Sequence, residues 1–102
     1  MEINEFMKSF VESIVKDLVD KQEEIRVDVF ISTKAISVQI KTAKEDCGKV
    51  IGRKGRTIDA IKVLSLAAKN TKFPDDSKTV SIEISEEENV SIKKTTKNNW
   101  RS

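Results

Sequence analysis

The sequence predicts a single α+β domain in which helices pack on one face of a three-stranded sheet, in the order α-β-β-α-α-β. Apolar residues recur every three or four positions in two long segments and alternate with polar residues in three short ones. A tetrapeptide that begins and ends with glycine interrupts the second helical region. The chain has 102 residues, which is enough for one domain with one modest core.

The first half of the chain predicts a helix followed by a hairpin. Residues 3–19 carry a wide apolar stripe at helical spacing, with Asn4 as the expected N-cap. Residues 25–31 and 35–41 alternate apolar with polar side chains, so each segment predicts a strand that is buried on one face. Residues 32–34 then join the two strands as a hairpin.

The second half predicts two helices separated by the glycine-flanked segment. Thr42 and Glu45 stand at the spacing of a capping box and predict a short helix over residues 43–50. Residues 52–55 interrupt this helix because glycine disfavours its continuation. Residues 56–70, which are rich in isoleucine, leucine, valine and alanine, predict the next helix.

A third strand and a charged tail complete the chain. Residues 80–84 alternate apolar with polar side chains and predict a strand, after a loop that contains Pro74. The predicted domain therefore covers residues 1–85. Residues 86–102 begin acidic, turn basic and show no sustained periodicity, so we expect this tail to be largely disordered.

The composition favours a cytoplasmic protein that is not an enzyme. There is no histidine, the commonest general base and metal ligand, and the single cysteine, Cys47, has no partner for an internal disulfide. No apolar run approaches the roughly 18 residues of a membrane span, and the N-terminus lacks the pattern of a signal peptide. We expect no cofactor, no metal, no membrane association and no small-molecule substrate, with Cys47 as a small buried residue.

Positive charge is concentrated in one short stretch of the chain. Residues 1–40 carry five basic and eight acidic side chains, whereas residues 41–62 carry seven basic and three acidic ones. The overall net charge of +2 conceals this asymmetry. A local cluster of this kind is typical of a site for a polyanion.

The basic stretch contains a motif. Residues 50–61 read Val-Ile-Gly-Arg-Lys-Gly-Arg-Thr-Ile-Asp-Ala-Ile, which matches the KH signature I/V-I-G-x-x-G-x-x-I-x-x-I at every defined position. Gly52 and Gly55 permit a sharp turn and a close approach to a ligand, and the second glycine precedes a helix whose free N–H groups favour phosphate. The alternative is that the two glycines only join two helices. The order of elements is similar to that of type II KH domains.

Residues 5–85 as a whole resemble the KhpA family of small bacterial KH-domain RNA-binding proteins. Besides the loop, Leu-Val-Asp-Lys at residues 18–21 and Glu-Ile-Arg-Val at residues 24–27 look like the family's helix end and first strand. Two features depart from the family pattern. Gln22 stands where the family usually has proline, and the tail after residue 85 is longer than usual.

The resemblance implies that the loop binds single-stranded RNA, since KH domains clamp about four nucleotides of backbone in this way. The residues expected at the RNA backbone are Lys49, Gly52, Arg53, Lys54, Gly55 and Arg56. The residues expected near the apolar floor of a groove for the bases are Val50, Ile51 and Ile58. Residues 80–82 would offer backbone groups to base edges.

The resemblance also implies a biological role and a protein partner. The role is that of an RNA chaperone or post-transcriptional regulator, linked to control of the cell envelope and of cell length. The partner is a larger protein of the KhpB (Jag/EloR) type. The alternative is an adaptor that uses the KH fold mainly to dimerise and binds little RNA itself.

The helix predicted over residues 56–70 suggests self-association. On a helical wheel, the arc expected to pack on the sheet contains Ala60, Ile61, Val63, Leu64, Ala67 and Ala68. The arc expected in solvent contains Asp59, Lys62, Ser65 and Lys69, with Leu66 among them. Because the resemblance implies pairing through the KH domain, we expect a homodimer or a heterodimer with a KhpB-like protein. Leu66 and Val63 are the residues expected at or near the interface.

Overall fold

The computed structural model describes residues 2–86, the side chain of Glu86 excepted, and residues 87–102 of the predicted tail lie outside the described residues. The helices are α1 (Ile3–Lys16), α2 (Cys47–Ile51) and α3 (Arg56–Lys72), and the strands are β1 (Arg26–Ile31), β2 (Ala35–Thr42) and β3 (Thr79–Glu86). The predicted order α-β-β-α-α-β is confirmed. Within this part of the chain, no helix combines the length and the apolar character needed to cross a bilayer.

The sheet is mixed, with β2 between its two neighbours. β1 runs antiparallel to β2 and β3 runs parallel to it, so Val29 and Ile82 both pair with Val38. A parallel neighbour cannot be reached by a tight turn, and the chain must cross over between the two strands. Here α2 and α3 form that crossover, which places the two glycines of the motif between them.

The core lies between one face of the sheet and the three helices. Ile36, Val38 and Ile40 of β2 are completely buried, whereas the residues between them are partly exposed. The helical residues that complete the core are Met7, Val11, Val15, Cys47, Val50 and Ile61. All three helices therefore cover the same face of the sheet, as predicted, and Cys47 is buried, as predicted.

Helix α1 is shorter than predicted. Its N-cap is Glu2 instead of Asn4, and the backbone N–H of Glu2 donates to the Glu5 carboxylate at 3.3 Å. The helix ends at Lys16, whose backbone carbonyl accepts a hydrogen bond from Nε2 of Gln22 at 3.0 Å. Gln22 thus satisfies a carbonyl at the end of α1, where the helix itself supplies no donor.

The predicted capping box at Thr42 and Glu45 is wrong. Thr42 is completely buried, and its hydroxyl donates to the Ala43 carbonyl at 3.0 Å and lies 3.2 Å from Sγ of Cys47. Glu45 instead forms an ion pair with Lys21 at 2.6 Å. The capping-box prediction failed because Thr42 is the last residue of β2 and continues the buried side of that strand.

The predicted orientation of α3 is wrong in part: Ile61 is buried and Asp59, Lys62 and Leu66 are exposed, as predicted, but other residues are not placed as expected. Ser65 and Lys69, which were expected in solvent, are completely buried, whereas Val63 and Leu64, which were expected against the sheet, are 65% and 54% exposed. Ala60 and Ala67 are exposed as well. Burial of the Lys69 ammonium is tolerated because it hydrogen-bonds to backbone carbonyls of the loop that follows α3. Much of the arc that was predicted to pack on the sheet consequently faces solvent.

Candidate nucleic-acid interface

The turn that connects α2 to α3 begins at a position that only glycine can occupy. Gly52 has φ 77° and ψ 172°, a backbone region that is essentially restricted to glycine. A Cβ atom at this position would lie 2.1 Å from Oγ1 and 2.8 Å from the backbone nitrogen of Thr57. The turn therefore passes directly over the first turn of α3.

The last two residues of the loop adopt left-handed backbone conformations. Lys54 has φ 58° and ψ 26°, and Gly55 has φ 75° and ψ 14°. The N–H of Gly55 closes the turn by donating to the Gly52 carbonyl at 3.1 Å. Within residues 2–86, Lys54 is the only non-glycine residue with a positive φ. That conformation costs roughly 1–2 kcal/mol for an L-residue with a Cβ, and such strain clusters at ligand-binding sites.

Three cations surround the start of α3. Arg53, Lys54 and Arg56 are all exposed, which confirms the expectation that the two residues between the glycines face solvent. Since α3 begins at Arg56, the loop lies at the N-terminus of a helix of 17 residues. There the first N–H groups lack intrahelical acceptors and the helix dipole is positive. The arrangement favours a phosphate or another anion of similar size.

Lys49 was predicted to join this cluster, but its ammonium is engaged by two carboxylates. Nζ of Lys49 forms ion pairs with the carboxylates of Asp20 and, at 3.3 Å, of Asp46. The hydrogen bond to Asp20 is the main cause that raises the pKa of Lys49. A phosphate would have to compete with two carboxylates for this side chain.

Asp46 links the start of α2 to the segment that follows α1, and sequence reasoning missed this residue. The Asp46 side chain is buried, and its Oδ2 accepts a hydrogen bond from the backbone N–H of Lys21 at 3.0 Å. That hydrogen bond is the main cause that lowers the pKa of Asp46. The ion pair between Lys21 and Glu45 is a second link between the same two segments. These links position α2, and with it Gly52, but periodicity cannot reveal a contact between residues 25 positions apart.

The residues predicted to line an apolar groove differ in accessibility. Val50 is completely buried and Ile51 is nearly so, whereas Ile58, in the first turn of α3, is half-buried. Among these three, Ile58 is the side chain that a base can reach most directly. β3 lies at the edge of the sheet, and within the described residues no strand pairs with its outer side. The backbone of residues 80–82 therefore has no strand partner on that side.

The mixed three-stranded sheet, the α-β-β-α-α-β order and the glycine-flanked turn between α2 and α3 together define a KH domain. Residues 8–84 match the family described as "KhpA/KhpB, KH domain", and the chain belongs to this family. The predicted resemblance is thereby confirmed.

Curated relatives cover most of the chain. The RNA-binding protein KhpA of Chlamydia pneumoniae is 43% identical over 83 residues, which span 79% of this chain and 99% of the relative. The RNA-binding protein KhpA of Chlamydia trachomatis is 43% identical over 81 residues, with the same coverage of each chain. That of Clostridium perfringens is 44% identical over 62 residues, which span 61% of this chain and 83% of the relative. No solved structure matches the chain significantly.

Proposed function

We propose that this protein binds single-stranded RNA and that residues 52–55 hold the phosphate backbone. One observation carries the proposal: a strained, left-handed turn presents exposed cations at the N-terminus of a long helix. The names of the curated relatives, which call them RNA-binding proteins, support it. No catalytic step is part of this function.

Phosphates and bases contact different parts of the site in this proposal. The N–H groups at the start of α3 and the side chains of Arg53, Lys54 and Arg56 hold the backbone of about four nucleotides. Lys49 is a further contact, which forms when its ammonium leaves a carboxylate and pairs with a phosphate of the RNA.

The bases lie on the apolar side of the loop. Ile58 and Ile51 contact them, and Val50 supports these two residues from the core. Backbone groups on the outer edge of β3, at residues 80–82, form hydrogen bonds to base edges. Because phosphate contacts carry no direct sequence information, a site of four nucleotides selects its RNA weakly. We therefore propose a general role as an RNA chaperone or post-transcriptional regulator in the cytoplasm, within the cell-envelope and cell-length control that the family resemblance implies.

A double substitution in the loop tests the proposal. Arg53→Asp with Lys54→Asp should abolish binding to a single-stranded RNA in a filter-binding assay and leave the melting temperature nearly unchanged, because both side chains face solvent. The matched control is Lys8→Asp with Lys34→Asp, two exposed lysines outside the loop that give the same change in charge. Retained affinity in the folded loop variant, or equal loss in the control, would exclude these two residues as the RNA contact.

Salt dependence and strand preference provide a second test. A loop that neutralises two to four phosphates should give a log–log slope of affinity against salt of roughly −1.5 to −3 on single-stranded RNA. Binding by one site should be micromolar or weaker. A slope near zero would indicate an apolar ligand, and a preference for duplex RNA would contradict a KH-type site.

A second proposal, pairing through α3, rests on the apolar side chains that this helix exposes. Val63, Leu64 and Leu66 are 65%, 54% and 36% exposed, and Val63 and Leu66 are the residues predicted at the interface. Covering such a surface is favourable by about 25 cal/mol per Å² of apolar area. The partner is a second copy or the KH domain of a KhpB-like protein, as the family resemblance implies.

Light scattering tests the pairing. At tens of micromolar, the wild type should have the mass of a dimer and Val63→Asp that of a monomer. Leu66→Asp should weaken pairing less, because Leu66 is the less exposed of the two. A wild type that pairs only when a KhpB-like KH domain is added would favour the heterodimer. If RNA crosslinking also recovered no RNA, the protein would be an adaptor.

A further inference from the structure

Large and small apolar side chains are arranged symmetrically along the solvent face of α3. Ala60, Val63, Leu64 and Ala67 are all exposed, and they follow one another at spacings of three, one and three residues. Residues at these spacings lie along one stripe of a helix. A small side chain stands at each end of the stripe and a large one on each side of its centre.

This symmetry suits packing of the stripe against the same stripe of a second copy of the chain. When a two-fold axis passes between Val63 and Leu64, perpendicular to α3, each Val63 faces Leu64 of the second copy. Each Ala60 then faces Ala67 of the second copy. The large side chains interlock at the centre, and the alanines allow the two helices to approach closely at both ends. The two helices run antiparallel in this arrangement.

Charge favours the same direction. In a parallel pair, Arg53, Lys54 and Arg56 of both copies would lie side by side and the two positive helix ends would coincide. In the antiparallel pair these cations lie at opposite ends. Asp59, in the first turn of α3, then lies within about one helical turn of Lys72 of the second copy, at the end of its α3.

The antiparallel geometry sets the distance between the two loops. Gly55 lies about eight or nine residues from the centre of the stripe, so the loops are separated by about 25 Å along the helix axes. We propose that both loops of an α3-paired dimer hold one RNA strand. The preferred ligand is then a single strand with two accessible segments joined by a spacer that spans this distance. The inference rests on the proposed RNA binding by residues 52–55 and on the proposed pairing through α3, and it adds the architecture of the ligand.

Binding at both loops raises the affinity for RNA of a dimer whose single sites are weak. Once the first loop holds the strand, binding of the second segment becomes intramolecular, and its effective concentration is set by the length of the spacer. The gain is lost when the spacer cannot span the two sites and falls slowly when the spacer is too long. A gain in affinity of about tenfold or more at the best spacer length is expected from this effect.

The test compares two sets of RNA on wild type and two variants of the protein. The first set contains a single four-nucleotide segment, and the second contains two such segments joined by abasic spacers of increasing length. Dimeric wild type should bind two-segment RNA at least about tenfold more tightly, with an optimum in spacer length. Leu64→Asp should bind the single segment like wild type and lose the gain. Phe30→Asp, at an equally exposed apolar residue on β1, is the control that keeps the gain (Phe30 is 55% exposed and Leu64 is 54% exposed).

The outcomes separate this inference from the function on which it rests. A gain that persists in a Leu64→Asp protein shown to be monomeric and folded would overturn the inference. Intact binding of the single segment with no gain at any spacer length would overturn it too, while leaving the proposed RNA binding in place. Absence of binding to every RNA would overturn both. Val63→Asp provides a second monomeric variant in case Leu64→Asp does not fold.

Discussion

The ammonium of Lys69 donates a hydrogen bond to the backbone carbonyl of Lys78 at 2.7 Å, which ties the last turns of α3 to the residue before β3. The same ammonium donates to the backbone carbonyl of Asp76 at 2.8 Å and lies 3.3 Å from its carboxylate. A completely buried lysine thus fixes the loop between α3 and β3. Lys69 lies on the same buried side of α3 as Ile61 and Ser65, and Val63 and Leu64 face solvent.

Lys69→Met should destabilise the domain by about 2–3 kcal/mol, because two partly buried carbonyls lose their donor and the Asp76 carboxylate loses a cation. Urea unfolding followed by circular dichroism measures this free energy. Lys62→Met, on the solvent side of the same helix, is the control and should change it by less than about 0.5 kcal/mol. Equal effects in the two variants would mean that Lys69 is not buried as described.

Asp76 should contribute to the loss of stability in acid. Hydrogen bonds from the backbone N–H and side chain of Lys78, together with Lys69, lower the pKa of Asp76 from 3.8 to about 2. Because the folded state holds this proton less tightly than the unfolded state, the stabilisation is complete above about pH 4 and is lost as pH falls towards 2.

Urea midpoints at pH 6 and pH 3 test this assignment. The drop between the two pH values should be smaller for Asp76→Asn than for wild type, and Asp46 and Glu45, whose pKa values are also lowered, should contribute to the remainder. Asp75→Asn, at the exposed neighbouring residue, should behave like wild type. An unchanged drop in Asp76→Asn would contradict the assignment.

The two glycines of the loop should differ in their tolerance of alanine. Gly52→Ala introduces a Cβ that clashes with Thr57, in a backbone region that alanine avoids, and should cost about 3 kcal/mol or more. At Gly55 no atom lies within 4 Å of an added Cβ, so Gly55→Ala should cost only the left-handed backbone strain of about 1 kcal/mol. Thermal unfolding of the two variants provides the comparison, and equal losses would argue against the close approach of Gly52 to α3.

Lys54 should strengthen RNA binding and lower the folding stability of the domain. Lys54→Asn should raise the free energy of unfolding by about 0.5–1 kcal/mol, because asparagine tolerates the left-handed conformation better than lysine does. The same variant should bind single-stranded RNA more weakly, since one cation is lost. Arg53→Asn serves as the control, because Arg53 has no positive φ and should lose affinity without any gain in stability. A Lys54→Asn protein that is no more stable than Arg53→Asn would show that the loop is not strained at Lys54.

Local patterns predicted the elements and the loop correctly because the forces behind them act over few residues. The alternation in residues 25–31 and 35–41 corresponds to β1 and β2, and the N–H of Ser32 donates to the Ala35 carbonyl at 2.9 Å in the predicted hairpin. The motif is contiguous, and the steric needs of Gly52 and Gly55 are met within a few residues. A reader of the sequence can therefore place the loop between two helices without knowing the fold.

What the sequence by itself determined is the set of elements, their order and the position of the cationic loop, since periodicity and glycine chemistry are local properties. Only the tertiary structure decided which side of α3 is buried and where Lys49 points. A helical wheel ranks faces by side-chain hydrophobicity and so assigned Lys69 to solvent. The fold buries Lys69 because carbonyls of the loop at 76–78 meet its ammonium. Asp20 and Asp46 likewise redirect Lys49, because a buried or paired charge depends on partners that only the folded chain brings within hydrogen-bonding distance.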